Sequence, residues 1–174
     1  SSSFVKFWNI SKNKNLSYLD LKKGGGAINE LSHEIDLVTY LFDFVKIKKV
    51  FETKKIFRSN VEEGYKLFGE VKSKAKIFLN INFNCIEERR VIIIKGERGQ
   101  LIVNLLNNEI NFLNNNSLKI KRYTSKEEKN LRYKRQLNYF FRNYRNSSIF
   151  NCDFDNGIKV SKTLNSIREK LIKQ

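Results

Sequence analysis

Three consecutive glycines, Gly24, Gly25 and Gly26, run directly into an amphipathic segment, and that junction narrows the folds open to the chain. Consecutive glycines let the backbone turn through positive φ and let another group approach it closely. The residues that follow have helical spacing. Ala27, Ile28, Leu31, Ile35, Val38 and Phe42 share one side, which must be buried against a second layer. Glu30, His33 and Asp36, spaced i, i+3, i+6, line the far side. His33 is the only histidine among 174 residues. Histidine is the side chain whose ordinary pKa lies nearest neutrality, so an acid–histidine–acid row on an open helix face suits proton transfer. The same row would also serve as a solvated helix face.

Around this helix the pattern alternates. Residues 4–10 read as a strand, residues 45–57 as a second, and residues 64–71 with 74–84 as a hairpin in which Ala75, Ile77, Leu79, Ile81 and Phe83 alternate with polar positions, apart from Phe78. The run Val91-Ile92-Ile93-Ile94 within 89–95 predicts a strand buried on both faces. Gly96 to Gly99 turns it back into 101–105, Asn107-Asn108 turns that into 109–113, and 118–123 adds one more. Residues 125–146 predict a helix with Leu131, Leu137, Phe141 and Tyr144 buried and a capping box from Ser125 and Glu128. A last helix, capped by Asp155 or Asn156, carries Ile158, Leu164, Ile167 and Leu171. This order, with a meander of six or seven strands, predicts an α+β domain: a largely antiparallel open sheet with helices packed on one face. Phe78, the isoleucine run, Leu101 and Val103 make the other face partly apolar.

Length and composition set the outer bounds. With 174 residues, 40% of them hydrophobic, the chain is one globular domain with a proper core. No apolar run approaches the roughly 18 residues of a membrane span. Cys85 and Cys152 have no CxxC or metal spacing, so the reading is two free thiols of a cytoplasmic protein with no metal. The formal charge of +16 and the stretch Lys119, Lys121, Arg122, Tyr123, Arg132, Tyr133, Lys134, Arg135, Tyr139 raise nucleic-acid binding as one reading. Lys, Asn and Ile are overused throughout, however, as an AT-rich coding sequence gives, and Lys is spread over every segment. A basic surface also favours an anionic substrate such as a sugar acid or sugar nucleotide. The sequence contains no Met and no Pro, and it reads as a piece of something longer. No G-x-G-x-x-G fingerprint occurs, and the triple glycine lacks the second half of one.

The string GGGAINELSHEIDLVTYLF resembles the signature of the glucose–fructose oxidoreductase/inositol dehydrogenase (Gfo/Idh/MocA) family, in which GGG is followed by an acid and by H-x-x-D. FWNISKNKNLSYLDLKK is similar to the family's lead-in, RRVIIIKGERGQLIVNLLNNEINFL to its later hairpins, and NLRYKRQLNYFFRNYRN and DFDNGIKVSKTLNSIREK to its last two helices. Here the acid, Glu30, stands three positions before His33, where many members place an Asp four before. The resemblance implies that residues 1–174 are the C-terminal, substrate-side domain of an oxidoreductase. Its cofactor, NAD or NADP, would be held mainly by a preceding Rossmann domain absent from this chain. Oxidising a secondary alcohol to a ketone needs a base for the hydroxyl proton while hydride leaves for the nicotinamide. His33 is the implied proton-transfer residue, with Glu30 or Asp36 setting its tautomer. Asp36 has a competing reading as a structural partner of nearby backbone or lysine. Gly24, Gly25 and Gly26 would lie where the nicotinamide meets a sugar-like substrate. Trp8 and Tyr18 would wall the sugar by CH–π stacking, Trp8 reading also as core, and Arg132 and Tyr133 would approach the pocket from the late helix. The family's use of its sheet implies a homodimer or homotetramer. A dimerisation or ligand-binding module without a cofactor domain is the alternative reading.

Overall fold

The apolar side read from residues 27–42 is buried, but the helix that carries it comes in two pieces: α1, Ala27–Glu30, and α2, Ser32–Phe42. Leu31 stands between them at φ −105°, ψ 22°, and its amide still donates to Ala27 O at 3.1 Å. Ala27, Ile28, Leu31 and Ile35 are fully buried, with Val38 and Phe42 packed at the margin. Each large aliphatic side chain so buried contributes roughly 1.5–3 kcal/mol.

The computed structural model describes residues 2–3, 17–56, 59–83, 88–126, 129–145 and 153–172. They form two compact units, divided at Arg89/Arg90 and again at Asp153/Phe154. In the first, β1 (Ser2–Ser3), β2 (Val45–Glu52), β3 (Gly64–Val71) and β4 (Lys76–Asn82) make a sheet in the order β1-β4-β3-β2, antiparallel except for the β1–β4 pair. Its inner face presents Val45, Ile47, Val50, Tyr65, Leu67, Val71 and Ile81 to α1, α2 and α4 (Phe154–Ile172), whose Ile167 completes the core. The helices therefore lie on one face, as the α+β reading requires. The spacing within β2 explains one irregularity. Val45 and Ile47 alternate, but Val50 follows Ile47 by three, and the pairing with β3 shifts between Ile47 and Lys49 so that Val50 regains the core.

The second unit is a meander, β5 (Val91–Gly96), β6 (Gly99–Asn104), β7 (Glu109–Asn114) and β8 (Ile120–Thr124), antiparallel throughout, followed by α3 (Lys129–Asn143). Both expected turns form. Gly96 pairs with Gly99 across a two-residue turn, and Asn104 accepts the amides of Leu106 and Asn107 at 3.0 and 3.2 Å. The Asn114–Asn116 cluster is a third turn, with Asn114 Oδ1 accepting from Asn116 and Ser117.

Several expectations are corrected. The meander is two four-stranded sheets rather than one run, because β4 already pairs with β3 on one edge and β1 on the other. The isoleucine run is not buried on both faces: β5 is an outer strand and Ile93 is 55% exposed. The helix expected from residue 125 is described from Lys129 onward; residues 125 and 126 are not helical, and the Ser125 amide donates to Asn108 O at 3.0 Å. Leu131, Leu137, Phe141 and Tyr144, expected to be buried, are exposed. The last helix begins at Phe154, so Asp155 and Asn156 lie in its first turn, where the Asp155 carboxylate complements the helix dipole. The strand expected at 4–10, Trp8, Glu128, Cys85 and Cys152 lie outside the described residues. No helix among the described residues is long and apolar enough to cross a membrane, and no three of their His, Cys, Asp and Glu side chains could hold a metal ion.

Candidate active site

The glycine turn is built by its neighbours. Asp20 caps a single 3-10 turn, Leu21–Lys23, by accepting the Lys22 amide at 3.0 Å, and Gly24 ends that turn in the left-handed region at φ +77°. The Gly25 amide then returns to Asp20 O at 2.9 Å and the Gly26 amide to Tyr18 O at 2.9 Å. A methyl group on Gly25 would stand 2.6 Å from the Ser17 and Tyr18 backbone. On Gly26, at φ +112°, it would collide with the Glu62 carboxylate. That carboxylate is the cap that Gly26 lacks. Glu62 Oε1 accepts the Ile28 amide at 3.0 Å and Glu62 O accepts Ala27 N at 2.9 Å. Asn29 closes the turn by donating to Gly24 O at 2.8 Å, and Arg168 of α4 donates to the Asn29 side-chain oxygen.

Two of the three glycines are therefore required by packing within the chain. Only Gly24 has open space where a side chain would be. The amides that a phosphate would seek at the start of a helix are already taken by Glu62, so a dinucleotide pyrophosphate does not fit here.

Glu30, His33 and Asp36 are all exposed, but the break at Leu31 puts Glu30 on α1 and the other two on α2. The carboxylate that contacts the histidine is a different one: Glu34 Oε1 lies 3.1 Å from His33 Nε2. The Glu34 side chain is 9% exposed against 43% for His33, so a buried acid supports an exposed imidazole. Helical spacing alone passes over this pair, since adjacent residues point apart. A signal was present nonetheless: Glu34 falls between Leu31 and Val38 on the apolar side, where a charge needs a reason. Behind it Tyr65 is fully buried with no hydrogen bond to its hydroxyl. Burial first, then the charges of Glu62 and Glu34, push that phenol well above its ordinary range, with Arg168 opposing. Glu62 carried no readable signal, because it acts on Ile28 across 34 positions of sequence. Glu63 is buried and accepts the amide of Ile56 at 2.5 Å and the hydroxyl of Ser59 at 3.1 Å.

Tyr18 meets the turn through its backbone, while its ring packs edge-on to Phe83 with centroids 5.5 Å apart. Burial raises the pKa of its phenol. Arg132 and Tyr133 belong to the second unit, both exposed on α3, and the Arg132 guanidinium donates to Asn108. Tyr18, Gly24 to Gly26 and Glu30 are thus linked by hydrogen bonds of one turn.

The chain carries the fold of Gfo/Idh/MocA-type oxidoreductases. Levoglucosan dehydrogenase, solved with NADH and L-sorbose, matches with a TM-score of 0.81 at 15% identity over 95% of this chain and 54% of its own. UDP-N-acetylglucosamine 3-dehydrogenase from Acidithiobacillus ferrooxidans matches at 0.70 and 14% identity, over 83% of this chain and 47% of its own. The super-repressor mutant of Gal80p from Saccharomyces cerevisiae matches at 0.69 and 12%, over 92% and 51%. The chain thus spans about half the length of these structures. No protein-family model matches the sequence, and no curated protein does.

Proposed function

We propose that residues 1–174 are the C-terminal, substrate-side domain of an NAD(P)-dependent oxidoreductase acting on a secondary alcohol of a sugar, polyol or sugar nucleotide. The observation that carries this is the exposed His33 imidazole, supported by buried Glu34 on the helix that the triple glycine starts, in a fold shared with sugar dehydrogenases. A nicotinamide, when bound, supplies the hydride acceptor, and a Rossmann domain outside these residues would hold most of it. His33 takes the hydroxyl proton as the carbon–hydrogen bond yields its hydride, and returns it in the reverse direction. Glu30 at the end of α1 and Asp36 on α2 stand exposed on either side of His33 in sequence, and Gly24 has open space where a side chain would be. Arg132, Tyr133, Trp8 and Tyr18 remain substrate contacts only within this proposal. In the parent enzyme, His33→Ala should lower kcat by roughly 10²–10⁴, the contribution of a general acid–base, with the cofactor KM unchanged. Near-normal kcat would return the stripe to a solvated helix face.

The match to Gal80p favours a second reading, a ligand-binding or dimerisation module that does no chemistry. Absence of any NAD(P)-linked turnover of sugars or polyols by the parent would favour it.

We also propose that the chain pairs through the outer face of its first sheet. Phe51, Phe68 and Phe78 form a partly exposed ladder there, with ring centroids 6.3 and 4.8 Å apart. Light scattering should give a dimer or tetramer at tens of micromolar, and a monomer would count against the face.

A further inference from the structure

We propose that Glu34 is the positioning residue of His33, and that it fixes the neutral imidazole with its proton on Nε2, leaving Nδ1 as the proton-accepting atom. This rests on the reading of His33 as the acid–base residue. It departs from the expectation that Glu30 or Asp36 plays the part.

Three observations converge. Glu34 Oε1 is within hydrogen-bonding distance of Nε2, at 3.1 Å. A carboxylate has only lone pairs to offer, so the ring nitrogen facing it must be the donor, and a neutral imidazole carries one proton. The unshared pair then belongs to Nδ1. The second observation is the contrast in exposure. Glu30 and Asp36 are exposed, where water and salt screen a carboxylate and let it swing, whereas Glu34 is held in the apolar side of α2 with its amide bonded to Leu31 O at 3.0 Å. A buried, backbone-fixed acid holds a ring in one orientation, and an exposed one on a flexible stem does not. The third is where the carboxylate lies in depth. Its charge is felt at the buried Tyr65 phenol, together with those of Glu62 and Arg168, although that hydroxyl has no hydrogen-bond partner. Glu34 thus reaches from the core side to the surface imidazole without being spent on Tyr65. Burying a carboxylate in an apolar helix face costs several kcal/mol unless its lone pairs are used. The contact to His33 uses one of them.

The unique histidine makes this directly measurable. Nitrogen-15 spectra of the labelled chain contain a single imidazole, and its two-bond couplings show which nitrogen carries the proton once the ring is neutral. The expected result is a proton on Nε2 in the wild type. Glu34→Gln, nearly isosteric, should give a mixture of both tautomers with the circular dichroism unchanged, while Glu30→Gln and Asp36→Asn should keep the wild-type pattern. In the parent enzyme Glu34→Gln should lower kcat about tenfold, part of what a general base supplies, with substrate KM little changed. A wild-type ring protonated on Nδ1 overturns the proposal, and that spectrum decides even if Glu34→Gln does not fold. A pattern that responds to Glu30→Gln or Asp36→Asn but not to Glu34→Gln overturns it too. The two readings fail separately. Normal kcat in His33→Ala with the expected tautomer removes the catalytic role and leaves the positioning; the wrong tautomer with a crippled His33→Ala does the reverse.

Discussion

Helices α2 and α3 carry apolar residues at the same spacing and do opposite things with them. In α2, Ile35 is buried and Val38 and Phe42 pack against it, with Leu31 at its entry fully enclosed. In α3, Leu131, Tyr133, Leu137, Phe140 and Phe141 are exposed, as is Tyr144 just past its end, and Phe140 stacks on Tyr144 with centroids 5.9 Å apart. The difference lies around the helices rather than in them. α2 is delivered at a fixed angle by the glycine turn, which Tyr18, Glu62 and Asn29 lock from three sides, onto a sheet face of Val45, Ile47, Val50 and Leu67. α3 is basic all along, with five Lys or Arg residues and no acid in Lys129–Asn143. Helical periodicity says which residues share a side. What covers that side is a property of the partner surface.

The largest effect should separate the two helices outright. Leu31→Ala removes a fully buried side chain between α1 and α2 and should cost roughly 2–5 kcal/mol of unfolding free energy. Leu137→Ala, at a position 57% exposed, should stay within about 0.5 kcal/mol. Urea unfolding of both variants makes the test, and equal losses would mean that α3 is covered in solution after all.

A smaller effect grades the turn that gives α2 its advantage. Gly24→Ala meets no neighbour but must hold a left-handed backbone, a cost of about 1–2 kcal/mol. Gly26→Ala adds to such strain the displacement of Glu62, leaving the Ile28 amide without its acceptor, roughly 1–3 kcal/mol more. Thermal midpoints should therefore fall further for Gly26→Ala, and the opposite ranking would mean that Glu62 is not the cap of α1.

The same contrast explains what could be read from residues alone. The α+β class, the hairpin of β3 and β4, the two tight turns of the second sheet and the apolar side of α1 and α2 follow from local spacing, because each is decided by neighbours in sequence. The break at Leu31, the cap from Glu62 and the pairing of β1 with β4 are decided by residues far away in the chain, and no period announces them. At the candidate site, His33 stood out by its rarity and by following the glycines. Its carboxylate partner did not, since helical geometry directs attention to positions three and four away, while the acid is its immediate neighbour, turned inward. The aromatic side of α3 misled for the converse reason: the spacing was right and the covering surface was assumed.

The smallest expected effect tests how firmly α2 is tied at its far end. Asp43 ends α2 at φ +64°, with its amide on Thr39 O at 2.8 Å, and its carboxylate receives the Lys159 ammonium of α4 at 2.9 Å. That hydrogen bond, then the Phe44 amide and the charge of Lys159, hold the Asp43 carboxyl below its ordinary pKa. A pKa lowered by folding means that the unfolded chain takes up the proton first. The contact therefore stabilises at pH above the unfolded value of about 3.9, and its contribution is lost as pH falls through the lower folded value. Asp43→Asn is the suitable variant, because Asn tolerates positive φ and keeps the backbone while removing the charge. Its thermal midpoint should lie slightly below that of the wild type at neutral pH, by less than either glycine variant, since the pair is exposed and screened. The gap should shrink with added salt and close in acid. A gap that persists unchanged below the folded pKa would show that Asp43 acts through its backbone geometry and not through Lys159.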